Sequence, residues 1–139
     1  MGELTRAVGC TVGIDVWVNN GELLVKNKIA AVDEVITSQD DVIDFLMTHY
    51  INPYDAWRIA KNIKNGKGLP ENDRVLMKDH DVPEWYCDSC DHIKTFSSRC
   101  SNMAKAKIYC WYAYYKVYLR QIFDSVVGKE KYKRDAYFI

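Results

Sequence analysis

From residue 38 to residue 63 apolar side chains recur twice at the three-to-four spacing of an amphipathic helix. Ser38 is placed to cap the first segment, whose Val42, Ile43, Phe45, Leu46 and Tyr50 form a stripe, with Asp40 and Asp41 at the positive N-terminal end of the helix dipole. Asn52-Pro53 opens the second, with Asn as cap and Pro in the first turn; Ala56, Ile59, Ala60 and Ile63 make its inner side, and Asn65-Gly66 stops it. Pro70 to about His80 predicts a third helix, and Asp81-Val82-Pro83 begins a fourth. Ahead of these, Ala31 to Ile36 predicts a short helix after an irregular opening. The longest helix is predicted from about Asn102 to Val127, with Met103, Ala106, Cys110, Ala113 and Val117 on one face and Ile108, Tyr112, Tyr115, Leu119 and Ile122 on another. Two apolar faces predict a central position. No alternating β-branched run is long enough for a sheet of any size, so the fold class is mainly α, a compact multi-helix domain.

Length and composition set the scale of that domain. The chain has 139 residues, 48% of them hydrophobic, which suits a single domain over 1–139 with its own core. No stretch approaches the apolar length of a membrane span, and MGELTRAVGC lacks the charged and apolar regions of a signal peptide. We expect a cytoplasmic protein without membrane contact, whose five cysteines are reduced thiols rather than a disulfide framework.

Charge changes the picture more. The sequence carries 19 basic and 19 acidic residues, but residues 1–55 hold three basic against nine acidic, and residues 56–139 hold sixteen against ten. Between Asp91 and Asp124 there is no carboxylate. Lys94, Arg99, Lys105, Lys107, Lys116 and Arg120 fall there among Phe96, Tyr109, Trp111, Tyr112, Tyr114, Tyr115, Tyr118 and Phe123. Such interleaving suits a polyanion with flat bases, while an aromatic stripe at helical spacing also suits a core. Lys61, Lys64 and Lys67 add a second basic group.

Several motifs carry candidate chemistry. Cys87-x-x-Cys90-x-His92 has the spacing of half a zinc site, with Cys100 as a nearby further ligand, and buried thiols are the other reading. Gly66-Lys67-Gly68 lacks the longer glycine pattern of a phosphate loop and reads as a helix C-cap carrying one positive charge. Asp79-His80-Asp81 is the only Asp-x-Asp, and the three histidines, His49, His80 and His92, sit on separate predicted helices without a nucleophile motif. Trp17, Trp85 and Tyr86 read as packing residues. Lys129 to Arg134 is a mixed-charge run with a solvated face as its default.

Asp15-Val-Trp17, Asp33-Glu-Val-Ile36, Asp40-Asp41, Gly66-Lys-Gly-Leu69 and above all Val82-Pro-Glu-Trp-Tyr86, Asp88-Ser-Cys90 and Ile93-Lys94 occur in one order. Together with Ala113-Tyr-Tyr-Lys-Val117 they resemble the fingers region of the bacterial DNA polymerase III alpha subunit of the PolC type, over about residues 8–118. The resemblance implies that Cys90 belongs to a helix pattern that binds no metal, and that neither metal nor cofactor is held here. It also implies losses: Ser97-Ser-Arg-Cys-Ser101 stands where the family has Phe-Pro-Lys-Ala-His, so Arg99 replaces its lysine, Ser101 its histidine and Lys105 its tyrosine, while Thr11-Val12-Gly13 stands for Ser-His-Gly. The family's palm carboxylates lie upstream of anything represented in this sequence, so no catalytic residue and no polymerase activity of the chain alone are expected.

The reading that follows is a stand-alone, partly degenerate fingers-like module, related to replication, that contacts DNA through Lys94, Arg99, Lys105 and Lys107 together with Lys61, Lys64 and Lys67. One alternative is an interaction protein that mimics part of the replicative polymerase and binds a replisome partner, with the acidic first third as its contact. The other is a polymerase fragment that acts with a palm on another chain.

Overall fold

A computed structural model describes residues 1–127; the charged run from Lys129 to Arg134 lies outside them. Among the described residues there are helices and turns, with no strand and one isolated antiparallel bridge, Ile14 to Thr95. The mainly α architecture expected from the periodicity is what forms.

The two strongest sequence signals produce the two clearest helices. In α3 (Gln39–Thr48) the Ser38 hydroxyl accepts the Asp41 N–H at 3.3 Å. In α4 (Pro53–Lys64) the Asn52 side chain accepts the Asp55 N–H at 3.0 Å and Pro53 occupies the first turn. Each cap satisfies a backbone donor that the helix leaves unpaired, at about 1 kcal/mol. Ala56, Ile59, Ala60 and Ile63 of α4 are fully buried against Val42 and Leu46 of α3 in one apolar cluster. The cluster extends to Met77 of α5 (Glu71–Asp79) and to Tyr86, Cys87 and Cys90 of α6 (Glu84–His92). The Tyr86 ring stacks on Phe45 at 3.8 Å between centroids. His49 and His80 tie the ends of α3 and α5 together, each ring Nδ1 meeting the other's carbonyl oxygen, at 3.1 and 2.9 Å.

The glycine-rich turn after α4 is a C-cap. Gly66, at φ 71°, donates its N–H to the Ile63 carbonyl at 2.9 Å, and the Lys67 N–H reaches the Asn62 carbonyl at 3.0 Å. That paired arrangement is a Schellman motif. Gly68, at φ 67°, then passes so close to Asp91 that a Cβ would stand 2.7 Å from its carboxylate oxygen.

Five expectations are corrected. The opening is helical: α1 (Gly2–Val12) is followed by a wide turn, Trp17–Gly21, and by the short α2 (Glu22–Lys26). Glycines and β-branched residues weaken its intrinsic signal, and packing on a neighbouring helix overrides that. Ala31 to Ile36 is a turn rather than a helix, closed by Glu34, whose carboxylate accepts the Ala31 N–H at 2.7 Å. Tyr50 leaves the α3 stripe, because the helix ends before it and its φ of 62° turns the side chain out to 90% exposure. The long helix is two: α7 (Arg99–Tyr118) starts earlier, capped by Ser98, and breaks at Leu119 before α8 (Arg120–Val127). Nor is α7 central along its length: Asn102 and Ala106 are buried against the body, whereas every residue from 107 to 122 is exposed. Of the faces expected to be apolar contacts, only Ala106 is buried.

Candidate nucleic-acid interface

The basic residues divide largely by side-chain type, although Lys78 pairs with Glu84 at 3.1 Å. Every described arginine is held by a carboxylate: Arg6 by Asp41, Arg58 by Asp55 and Asp73, Arg74 by Glu84 and Asp88, Arg99 by Asp41 and Asp44, Arg120 by Asp124. Among the described residues, no ion pair engages Lys64, Lys67, Lys94, Lys105 or Lys107, and Lys61 lies over the Trp57 ring at 4.5 Å. Arginine's planar fork suits bridging between elements, and a flexible lysine suits a solvated positive surface.

Arg99 shows the first use most fully. Its backbone N–H donates to Asp40 at 2.6 Å, and its Nη2 donates to Asp41 at 2.9 Å and to Asp44 at 2.7 Å. The three acceptors belong to the first turns of α3, so acidic residues at one helix start hold the start of another. Asp41 is the hub. Its other oxygen accepts the Thr37 hydroxyl at 2.6 Å and the Thr37 N–H at 3.0 Å, and Arg6 of α1 stands 3.6 Å away. Burial alone would raise the Asp41 pKa, but the hydrogen bonds from Thr37 and Arg99 outweigh it, and the carboxyl is held below the ordinary carboxylate value. Asn102 completes the joint: it is buried, accepts the Ser97 hydroxyl and donates to the Thr37 carbonyl at 3.4 Å. Part of the acidic first third is therefore spent inside the fold.

The lysines fall into two places. Gly66 and Lys94 are neighbours, since a Cβ on Gly66 would lie 3.3 Å from the Lys94 carbonyl oxygen. The α4 C-cap with Lys64 and Lys67 thus shares an edge with Lys94, which is itself anchored by its N–H on the Ile14 carbonyl at 3.4 Å. Lys61 stands one turn earlier on α4. Lys105 and Lys107 follow on α7, where Lys105 is half-buried and Lys107 exposed. Seven predicted contact residues therefore resolve into one edge of four lysines, a pair on α7, and Arg99, whose guanidinium is committed to α3.

The cysteine motif folds into the core. Cys87 and Cys90 are fully buried in α6, and burial pushes both thiols up, away from the thiolate form that ligates metal. No group of three metal-ligating side chains occurs among the described residues. Trp17 is half-buried and Val18 is exposed, so of that triplet only Val16 serves as a core anchor. Periodicity missed a cleft of about 610 Å³ lined by Arg6, Ala7, Cys10, Thr11, Trp17 and Val32 among others, because it opens between the unforeseen α1 and the turn at 31–36. No described helix is long and apolar enough to cross a membrane.

No profile of a known protein family matches the chain. Individual proteins do. The sequence is 35% identical over 116 residues to DNA polymerase III PolC-type of Clostridium perfringens. It is 33% identical over 121 residues to that of Caldanaerobacter subterraneus and 34% identical over 121 residues to that of Bacillus cereus. These alignments cover 84 to 87% of this chain and 8 to 9% of the relatives, so the chain spans less than a tenth of their length.

Proposed function

This chain is a PolC-like region, about a third identical over most of its length to one segment of PolC-type DNA polymerase III, and from that kinship we propose that it is a replication-related, fingers-like module that contacts DNA. The observation that carries the reading is the contrast between the bridging arginines and one set of lysines. Arg58, Arg74 and Arg99 are consumed in holding helices together, whereas Lys64, Lys67 and Lys94 on one edge and Lys105 and Lys107 on α7 keep their charge for an external polyanion. Phosphate contacts of this kind dominate affinity for DNA and weaken with salt. Arg99 supports the surface indirectly, by fixing the start of the helix that carries Lys105 and Lys107.

The role proposed is binding without catalysis by this chain alone. Phosphoryl transfer by two metal ions needs carboxylates free to hold them, and Asp40, Asp41 and Asp44, the densest acidic group, are engaged by Arg99.

Anisotropy of a labelled primer-template and of the single strand, each at two salt concentrations, tests the reading. Binding should weaken steeply as salt rises, and Lys67→Glu with Lys94→Glu should lower affinity by about tenfold or more at low salt. Affinity unchanged by those two substitutions and by Lys105→Glu with Lys107→Glu would remove the lysine surface from the DNA contact.

A further inference from the structure

The DNA-contacting reading uses the C-terminal end of α4 and leaves the outer face of that helix unexplained. Ala56, Ile59, Ala60 and Ile63 turn into the core, so the opposite side carries Tyr54, Trp57, Lys61 and Lys64, spaced by three, four and three residues. At about 100° per residue the four fall within an arc of about 80°. Tyr54 is 70% and Trp57 45% exposed, and both lysines are exposed beside them. No carboxylate and no aliphatic residue of α4 shares that arc. On its flank, Asp55 and Asp73 are both held by Arg58. From Tyr54 to Lys64 the face runs about 15 Å, at about 1.5 Å per residue. Its far end meets the Gly66 turn, where Lys67 follows and Lys94 lies alongside.

We propose that this face of α4 binds single-stranded DNA, its bases stacking on Tyr54 and Trp57 while Lys61 and Lys64 take the adjoining phosphates. The site rests on the DNA-contacting reading and deepens it: the strand is single, and two uncharged residues join the contact. Rings and ammonium groups side by side match the bases and phosphates of one strand. The Lys61 ammonium lies 4.5 Å over the centre of the Trp57 ring, so that ring face is open to a ligand. A cation–π contact at an exposed site is weaker than base–aromatic stacking. An incoming base therefore displaces the ammonium, and the flexible lysine stem carries the charge to the phosphate. A duplex cannot use the rings, because its base faces are already stacked on one another. A protein partner fits less well: interface cores are poor in lysine, and here lysines make up half the arc and continue beyond it as Lys67 and Lys94.

Anisotropy of the full chain with labelled oligothymidylate, an abasic strand of equal length and a blunt duplex tests the site. Oligothymidylate should bind about tenfold or more tightly than the abasic strand at equal salt, since the phosphates are alike and only the bases differ. Tyr54→Ala with Trp57→Ala should bring the two strands within about twofold of each other and leave the salt dependence as it was, circular dichroism staying unchanged. Lys61→Gln with Lys64→Gln should instead flatten the slope of log affinity against log salt by about 1.4, at about 0.7 per phosphate of a single strand. Equal binding of the abasic strand by the wild type overturns the proposal, and if that binding still weakens with salt the DNA-contacting reading survives it. A duplex bound as tightly as oligothymidylate also overturns the proposal, again leaving the broader reading in place. Absence of binding to all three at low salt ends both. If Lys67→Glu with Lys94→Glu leaves affinity intact while the ring substitutions erase the preference for bases, the lysine edge falls and the α4 face stands.

Discussion

The two ends of α7 are one continuous helix in two different environments. Its first two turns are gripped: Arg99 by three aspartates of α3, Asn102 by Thr37 and Ser97, Ala106 buried against α1. Its last three turns touch little besides α8. At the gripped end Arg99 and Asn102 find polar partners in the body, and the outer end is rich in apolar groups that stay exposed. Burial therefore does not follow hydrophobicity along this helix; it follows where α1 and α3 happen to reach. A polar, satisfied joint ties α7 to the body and fixes the direction in which its apolar end projects.

The steepest way to break that contrast is at the α1–α7 contact. Gly9 faces α7 so closely that a Cβ would stand 2.5 Å from the Thr37 carbonyl oxygen and 2.8 Å from Asn102 Nδ2. Backbone and a buried amide cannot both yield, so Gly9→Ala should destabilise the fold by about 3 kcal/mol, read as a lower midpoint in urea unfolding. A loss under about 0.5 kcal/mol would mean that α1 sits loosely and that the gripped end owes little to it.

Next in size is the Asp41 hub. Asp41→Asn removes the charge shared by Arg99 and Arg6 and should cost about 2 kcal/mol near neutral pH, less than a fully buried pair because the Arg99 side chain is half exposed. The pH dependence has a fixed sign. Since the folded-state pKa of Asp41 lies below its unfolded value of about 3.9, the stabilisation is complete above that value and is lost as pH falls through the folded pKa. The stability gap between the wild type and Asp41→Asn should therefore be level from pH 7 to about 5 and should narrow below about 4. A gap that persists undiminished into acid would place the cost in altered hydrogen bonding rather than in charge.

The same contrast explains what was readable in the sequence. Helices with local signals, Ser38 before α3 and Asn52-Pro53 before α4, formed as expected, because caps and apolar spacing act within a few residues of where they are written. α1 was not readable: GELTRAVGCTV has two glycines and no cap, and it is helical because Gly9 lets it approach Thr37 and Asn102, which lie far along the chain. Arg99 was legible as a charge but not as a structural one, since nothing local couples it to Asp40, Asp41 and Asp44 more than fifty positions earlier. The lysines of the candidate interface were all legible as basic; that Lys67 and Lys94 share an edge depends on the Gly66 turn meeting the end of α6. Periodicity likewise marked the outer end of α7 as apolar on two faces. It had no means of saying that the described body would cover neither.

The smallest effect is expected at the free end, and its smallness is the point. Trp111→Ser replaces a 61% exposed ring by a residue of similar helix propensity, so intrinsic helicity hardly changes and no buried contact is lost. Urea unfolding should move by less than about 0.5 kcal/mol. An equal truncation in the body, Ile59→Ala at a fully buried position of α4, should cost about 2–4 kcal/mol. If Trp111→Ser proved as costly as the core truncation, the outer end of α7 would be packed in solution by something within the chain. If it is near neutral for folding, the apolar character of residues 108–115 contributes little to the stability of this domain.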